Sequence, residues 1–461
     1  MTATSSALVE AADLVLVTDG QGETRTGAEL YHAVSLLAGE MTAAGWAGGV
    51  VGHWFTNSIA SIEAALAIEW IGATRVSIDP TTNSQEANSM WNAANVDGRL
   101  VDPEHGHAPT PDSLVYTRSP ETGGSLIPPT EEVDPNKTYL LYPRAVQDGE
   151  LLAVPISYGN WDATMRLNQA LYREGWYGSG FGPDACFLTV QQLMHGTGLV
   201  GSFPFLRMGL PQIILDRFDA DLVLEVLGSG RVTATMMVTA MVDRLTDALE
   251  ATPRSLGKLS TLLYGGAPMS PDRLLRATTA MPDVLVQIYG RLEGGWPLTV
   301  LDQADHRSIL AADGGLLIAS CGRALPEAGL QIRASGEVVV RSDMVVDSFA
   351  DVDGSCGLGD IGHLDADGYL FLDGRLDRMI NTGYHVYPAE IEDRIREVAG
   401  VQSARVEGRP DPRRGEKVVA LVVASRDDHE RLQRELDLHL RATLAPYKVP
   451  REYEFPSSLG Q

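Results

Sequence analysis

Four short segments hold residue types able to handle a flat, phosphate-bearing ligand, and they follow one another in order along the chain. In TLLYGGAPMS a strand-like run leads into Gly265-Gly266-Ala267-Pro268. Two glycines after a buried strand let a flat ring lie on bare backbone, because no Cβ intervenes. Alone, the segment is as well explained by an ordinary strand-to-loop turn. In VQIYGRLEGG a second strand ends at Tyr289-Gly290, with Glu293 four residues beyond the tyrosine. The ring offers a stacking face and the carboxylate can hold Mg²⁺ near phosphates. A core tyrosine beside a solvated glutamate is an equal reading.

In GDIGHLDADGYLFLDGR, Asp360 follows a glycine turn, where a carboxylate can accept both hydroxyls of a ribose, and Arg375 follows the next hairpin. Two turn residues in a β-meander would look the same. In MINTGYHVYPAEIEDRI, Pro388 opens a helix whose first turn holds Glu390 and Glu392, a pattern that suits any helix N-terminus.

The elements that must position these residues alternate. Thr26 to Ala44 reads as an amphipathic helix, Gly49 to Trp54 as a strand, Ser58 to Trp70 as an Ala-rich helix and Thr74 to Ile78 as a strand. Strand, helix, strand is the βαβ unit of a parallel sheet. Residues 103–136 read as a surface connection rich in Pro, Thr, Ser, Gly and acids. Alternation then resumes from Ala185 to Tyr264. From Gly314 short strands with Gly and Asp turns follow, as in a distorted antiparallel barrel or sheet. The stretch after Gly374 reads as a compact α+β module. The expected fold is therefore α/β: a large N-terminal domain (1–373) of parallel αβ sheets plus a distorted β-barrel, a hinge (374–377), and a small mobile α+β domain (378–461).

Composition narrows the function. The 461 residues carry 61 acidic against 36 basic side chains, a formal net charge of -25. Such a surface repels phosphate backbones and anionic lipids, which disfavours nucleic-acid and membrane partners. Cys186, Cys321 and Cys356 are far apart and form neither a disulfide framework nor a zinc site. The N-terminus lacks a basic n-region, and no apolar run is long enough to span a bilayer, so a soluble cytoplasmic protein is expected.

Together, GGAP, YGxxE, GD, DGR and G-x-x-V-x-P-x-E-I-E resemble the adenylate-forming superfamily of acyl-CoA synthetases, luciferases and peptide-synthetase adenylation domains. NSIASIEAALAIEWIGATRVSIDP, QQLMHGTGL and YKVPREYEF extend the resemblance over nearly the whole chain. It implies a ligase that uses ATP and Mg²⁺ to activate a carboxylic acid as acyl-AMP, then transfers the acyl group. Gly265, Gly266, Ala267, Pro268, Tyr289, Gly290, Asp360 and Arg375 would hold ATP and AMP. Glu293 would assist Mg²⁺, His195 would border the acyl site as a catalytic residue, and Asp377 would be the hinge. A satisfied core histidine is the alternative for His195.

Two departures stand out. The resemblance expects Y-T-S-G-T-T-G-x-P-K-G as phosphate loop, but the chain reads YPRAVQDGEL from Tyr142, with Arg144 its one cation and Asp148 and Glu150 opposing it. It also expects a lysine in P-x-x-x-x-G-K, where the chain reads PSSLGQ with Gln461 last; either Gln461 stands for that lysine or the lysine lies beyond it. YLLYPRAVQDGELLAVPISYGNW, HGTGLVGSFPF and YGRLEGGWPL further resemble the amide bond synthetases of β-carboline biosynthesis. That implies an aromatic, β-carboline- or indole-like acid and an arylethylamine acceptor. Gly198, Gly201, Gly294 and Gly295, with Gly196 nearby, would leave room for a planar acid beside Phe203; close helix-on-strand packing explains these glycines equally well. An acyl-CoA ligase with coenzyme A as acceptor and a non-catalytic nucleotide-binding relative are the alternatives.

Overall fold

A computed structural model describes residues 3–102, 113–116, 125–130, 133–147, 150–182, 184–312, 315–376, 379–426 and 428–456. Asp148, the hinge candidate Asp377, Gln461 and most of the 103–136 connection lie outside the described residues.

Two large sheets organise the N-terminal part. In one, Ser113–Val115, Gly98–Val101, Val50–Trp54, Thr74–Ser77 and Thr138–Gln147 run parallel in that spatial order, and Glu150–Ser157 closes the edge antiparallel. In the other, Val15–Asp19, Gln212–Ile214, Phe187–Thr189, Ala234–Val238, Thr261–Gly265 and Leu285–Arg291 form the parallel part. The later Gly- and Asp-punctuated strands hydrogen-bond onto it as an antiparallel wing: Gly295–Leu301, Ser320–Ala324, Tyr369–Arg375, Cys356–Leu364, Glu337–Val340 and Gln331–Ile332. The stretch Leu317–Ala319, expected as strand, is a 3₁₀ turn, and the strand begins at Ser320.

The helix Ile59–Trp70 shows why its sequence is apolar on every side. All its residues are buried, as expected for a helix enclosed by protein on every side. Its two acids meet partners from other elements: Glu63 accepts from Arg25 Nε at 3.3 Å and the Tyr116 hydroxyl at 2.8 Å, and Glu69 accepts from Thr4 Oγ1 at 3.0 Å. The preceding helix Gly27–Ala43 starts at a reciprocal Thr26–Glu29 capping box.

The C-terminal module has its own apolar cluster, built on Ile391, Ile395, Val406, Val418, Val422, Leu432, Leu436 and Leu440. Helices Pro388–Arg396 and His429–Thr443 cover a sheet of Val401–Asp411, Gly415–Ala424 and Glu452–Glu454. Specific polar contacts seat it on the larger part. Arg273 donates to the carbonyls of Pro412 and Arg413, the latter at 3.2 Å. Lys448, fully buried, reaches Glu86 of the helix Ser84–Ala93 at 2.6 Å and Glu390 of its own module at 3.0 Å.

Candidate active site

The site grows from two adjacent parallel strands. Thr261–Gly265 ends in Gly265-Gly266, and a Cβ on Gly265 would stand 2.3 Å from the Ile288 carbonyl oxygen of the neighbouring strand. Only glycine allows that approach, and Gly266 turns the chain away at φ +87°. Next door, Leu285–Arg291 delivers Tyr289, whose hydroxyl donates to Asp360 Oδ2 at 2.6 Å. Arg375 holds the other oxygen, Oδ1, at 2.9 Å. Asp360 faces Arg375 across the antiparallel pair Cys356–Leu364 and Tyr369–Arg375, so strand register alone brings the two together.

A cavity of about 680 Å³ opens over these strand ends, and its walls include Gly265, Gly266, Ala267, Pro268, Tyr289, Gly290, Asp360 and Arg375. All eight residues expected to hold a nucleotide therefore line one space. Its far wall belongs to the C-terminal module, through Asn381, His385, Arg405, Glu407 and Glu416. Asn381 Nδ2 donates to the Gly266 carbonyl at 2.9 Å, joining that wall to the glycine turn. Asn381 and His385 lie inside MINTGYHVYPAEIEDRI, Arg291 inside VQIYGRLEGG and Trp296 inside YGRLEGGWPL, but residue type and spacing in those segments did not single them out.

Four matches decide the family. The AMP-binding enzyme model matches residues 149–347, and the AMP-binding enzyme C-terminal domain model matches 390–460. The feruloyl-CoA synthase of Amycolatopsis sp is 30% identical over 95% of this chain and 91% of its own length. The indoleacetate–CoA ligase of Aromatoleum aromaticum is 30% identical over 76% of this chain and 70% of its own. The chain is an AMP-binding enzyme. Among solved structures, the amide bond synthetase McbA from Marinactinospora thermotolerans superposes with a TM-score of 0.82 at 27% identity, over 99% of this chain and 96% of that one. As an AMP-binding enzyme, the protein is an ATP-dependent ligase that activates a carboxylic acid by adenylation.

Other expected site residues of this AMP-binding enzyme have different surroundings. His195, at the N-terminus of the helix Gly196–Arg207, is buried with both ring nitrogens engaged. Nε2 stands 2.7 Å from Asp79 Oδ2 and Nδ1 3.1 Å from the Tyr142 hydroxyl. Burial works against the Asp79 charge, yet the His195 hydrogen bond holds its carboxyl below the usual range. The trio ties a strand end, the edge hairpin and a helix start together, and His195 is outside the cavity walls.

The glycines expected along the acyl pocket stand in close contact with their neighbours. A Cβ on Gly198 would meet the Gln192 carbonyl at 2.2 Å, and one on Gly201 the Phe187 ring at 3.1 Å. Phe203 is buried in the core, edge-on to Trp161 at 6.0 Å. Gly294 packs on Leu358 and Val340, and Gly295 on Met344. The indole of Trp296 is pressed so closely on Gly196 and Gly290 that a Cβ at either would fall within 2 Å of the ring.

Glu293 is ion-paired with Arg144 and lies 3.4 Å from Arg291. Burial opposes its charge, but Arg291 and then Arg144 outweigh that and bring its carboxyl down to about 2. Among the described residues no group of three His, Cys, Asp or Glu could hold a metal. The three cysteines are free thiols, and no helix among the described residues is long and apolar enough to cross a membrane.

Proposed function

We propose that the enzyme activates an aromatic carboxylic acid as its acyl-AMP and passes the acyl group to an amine, giving an amide. The observation that carries this reading is the single cavity in which the adenylate residues meet Trp296, an aromatic wall beside the reacting end. The names of relatives matched here, indoleacetate and ferulate ligases and an amide bond synthetase, agree in kind. Adenine would lie on Gly265–Pro268 beside Tyr289, and the ribose hydroxyls would face Asp360. The acid's carboxylate oxygen then attacks the α-phosphorus, pyrophosphate leaves, and the amine displaces AMP from the acyl carbon.

The charge of the whole chain favours an amine over coenzyme A. Asp373, Glu407 and Glu416 share the cavity lining with Arg291, Arg375 and Arg405, so the bias comes from the net charge of -25, which attracts a protonated amine and repels coenzyme A phosphates. On this reading His195 is a positioning residue, held by Asp79 and Tyr142. Coenzyme A remains the second reading, because the two curated relatives are named as ligases or synthases of CoA esters. Mass spectrometry of products from MgATP, an indole carboxylic acid and either tryptamine, coenzyme A or neither tests both. Amide without thioester supports the proposal, thioester moves the enzyme to the CoA ligases, and absence of AMP from every tube favours a non-catalytic relative.

A further inference from the structure

Behind the strand ends, three side chains form a hydrogen-bonded row that stops at the cavity wall. Gln287 pairs with Tyr264 where Leu285–Arg291 runs beside Thr261–Gly265, and it shares a strand face with Tyr289, two residues on. Gln287 lines the cavity, whereas Tyr264 and His306 lie behind it in the core. The Tyr264 hydroxyl is 2.9 Å from the Gln287 amide and 2.9 Å from His306 Nε2. His306 Nδ1 is 2.6 Å from the carbonyl oxygen of Asp302, the cap of its own helix, Gln303–Ala311.

The protons available fix the direction of this row. A carbonyl oxygen only accepts, so His306 carries its proton on Nδ1 at the 2.6 Å contact. Burial brings the imidazole down to about 4, so at neutral pH there is no second proton and Nε2 is an acceptor. Burial pushes the Tyr264 phenol far up, so it keeps its one proton, and His306 Nε2 takes it. Toward Gln287 the Tyr264 oxygen then has only lone pairs to offer. Gln287 Oε1, 2.9 Å away, would set lone pair against lone pair there. Turning the amide over puts Nε2–H in the same space and satisfies the whole row, leaving Oε1 for the cavity.

We infer that His306 and Tyr264 are positioning residues that hold the Gln287 amide oxygen toward the cavity, where it selects a base with an exocyclic amino group over one with an oxo group. The inference rests on the adenine placement proposed above and adds what reads the edge of that base. An acceptor at this point bonds the amino group of adenine and repels the oxo group of hypoxanthine. A free amide has no such preference, since one rotation exchanges its donor and acceptor ends. The neutral histidine, two hydrogen bonds from the cavity, removes that freedom.

The test titrates AMP and inosine monophosphate, which carry amino and oxo groups at the same ring position, by calorimetry. The proteins are wild type, Tyr264→Phe, His306→Leu and Gln287→Met, each first checked for wild-type folding by circular dichroism. Wild type should bind AMP about 10- to 100-fold more tightly, as for a polar group left mispaired in the other complex. In Tyr264→Phe the amide is free to turn, and the preference should drop to less than about threefold, near that of Gln287→Met. In His306→Leu the Tyr264 proton passes to Gln287 Oε1, the amide N–H faces the cavity, and the preference should vanish or reverse. Equal weakening of both nucleotides in Tyr264→Phe, with their ratio unchanged, would make the row merely structural and overturns the inference. Nitrogen NMR of the wild-type imidazoles should find the His306 proton on Nδ1, and a proton on Nε2 overturns the inference without any variant. AMP binding without discrimination overturns it while the nucleotide reading stands, whereas no AMP binding by wild type removes both.

Discussion

Tyr289 and Asp360, 71 residues apart, share a 2.6 Å hydrogen bond that fixes one wall of the cavity. Its partner bond, Arg375 to Asp360 at 2.9 Å, leaves the carboxylate no freedom to rotate. The side chain proposed to meet the ribose is thus oriented before any ligand arrives, and no ordering cost falls on binding.

Asp360→Ala should therefore abolish detectable ATP–pyrophosphate exchange while the protein still folds. Tyr289→Phe removes one hydrogen bond and keeps the ring, so the KM for ATP should rise by about 3- to 10-fold with little change in kcat. Steady-state kinetics on both variants checks this. A Tyr289→Phe enzyme with normal KM would show that Arg375 alone orients Asp360.

Trp296 should set the size of acid that is accepted. Trp296→Ala removes the indole from between Gly196 and Gly290 and should cost about 3 kcal/mol of stability. In exchange, acids carrying an extra ring should gain in kcat/KM relative to smaller ones. Gly196→Ala should act oppositely, because its Cβ would meet the Trp296 ring at 1.8 Å. Competition between a monocyclic and a tricyclic acid reads the change as a product ratio.

Lys448 lies buried between Glu86 and Glu390. Lys448→Met would leave two carboxylates facing each other without a cation, and should destabilise the enzyme by about 3–5 kcal/mol. Adding Glu86→Gln should recover part of that loss. Thermal melts of the single and double variants form the needed comparison, and a neutral single variant would show that the triad contributes nothing to docking.

Acid should weaken the fold before the carboxylates titrate. Burial lowers His53 from 6.5 to about 3 and His306 from 6.5 to about 4. Both are bases with depressed values in the folded state, so the unfolded chain binds more protons once pH drops below 6.5. Their contribution is whole above that pH and is lost as pH falls toward 4, by about 1.4 kcal/mol per unit for each. Glu293, depressed to about 2, adds a further loss only below its unfolded value near 4.5. Urea midpoints at pH 7.5, 6 and 5 should fall in step. A flat profile would mean that both imidazoles bind protons alike in the folded and unfolded chain over this range.

Local pattern carried much of this fold. Helix starts such as Thr26, strands such as Ala234–Val238 and the turn at Gly265-Gly266 depend on neighbours within a few residues, and periodicity and capping express them directly. The order of GGAP, YGxxE, GD and DGR likewise marked residues that line one cavity, because the first two close parallel strands and strand register sets Asp360 opposite Arg375 in an antiparallel pair. Tertiary structure decided the rest. Whether Gly198 and Gly201 leave space or permit contact depends on Gln192 and Phe187, which local spacing does not reveal. Whether Glu293 faces a metal or an arginine depends on Arg144, 149 residues away on a separate sheet. A sequence fixes which groups can ionise or pack; only the folded chain decides what stands opposite each one, and for a buried charge or a bare glycine that neighbour sets the chemistry.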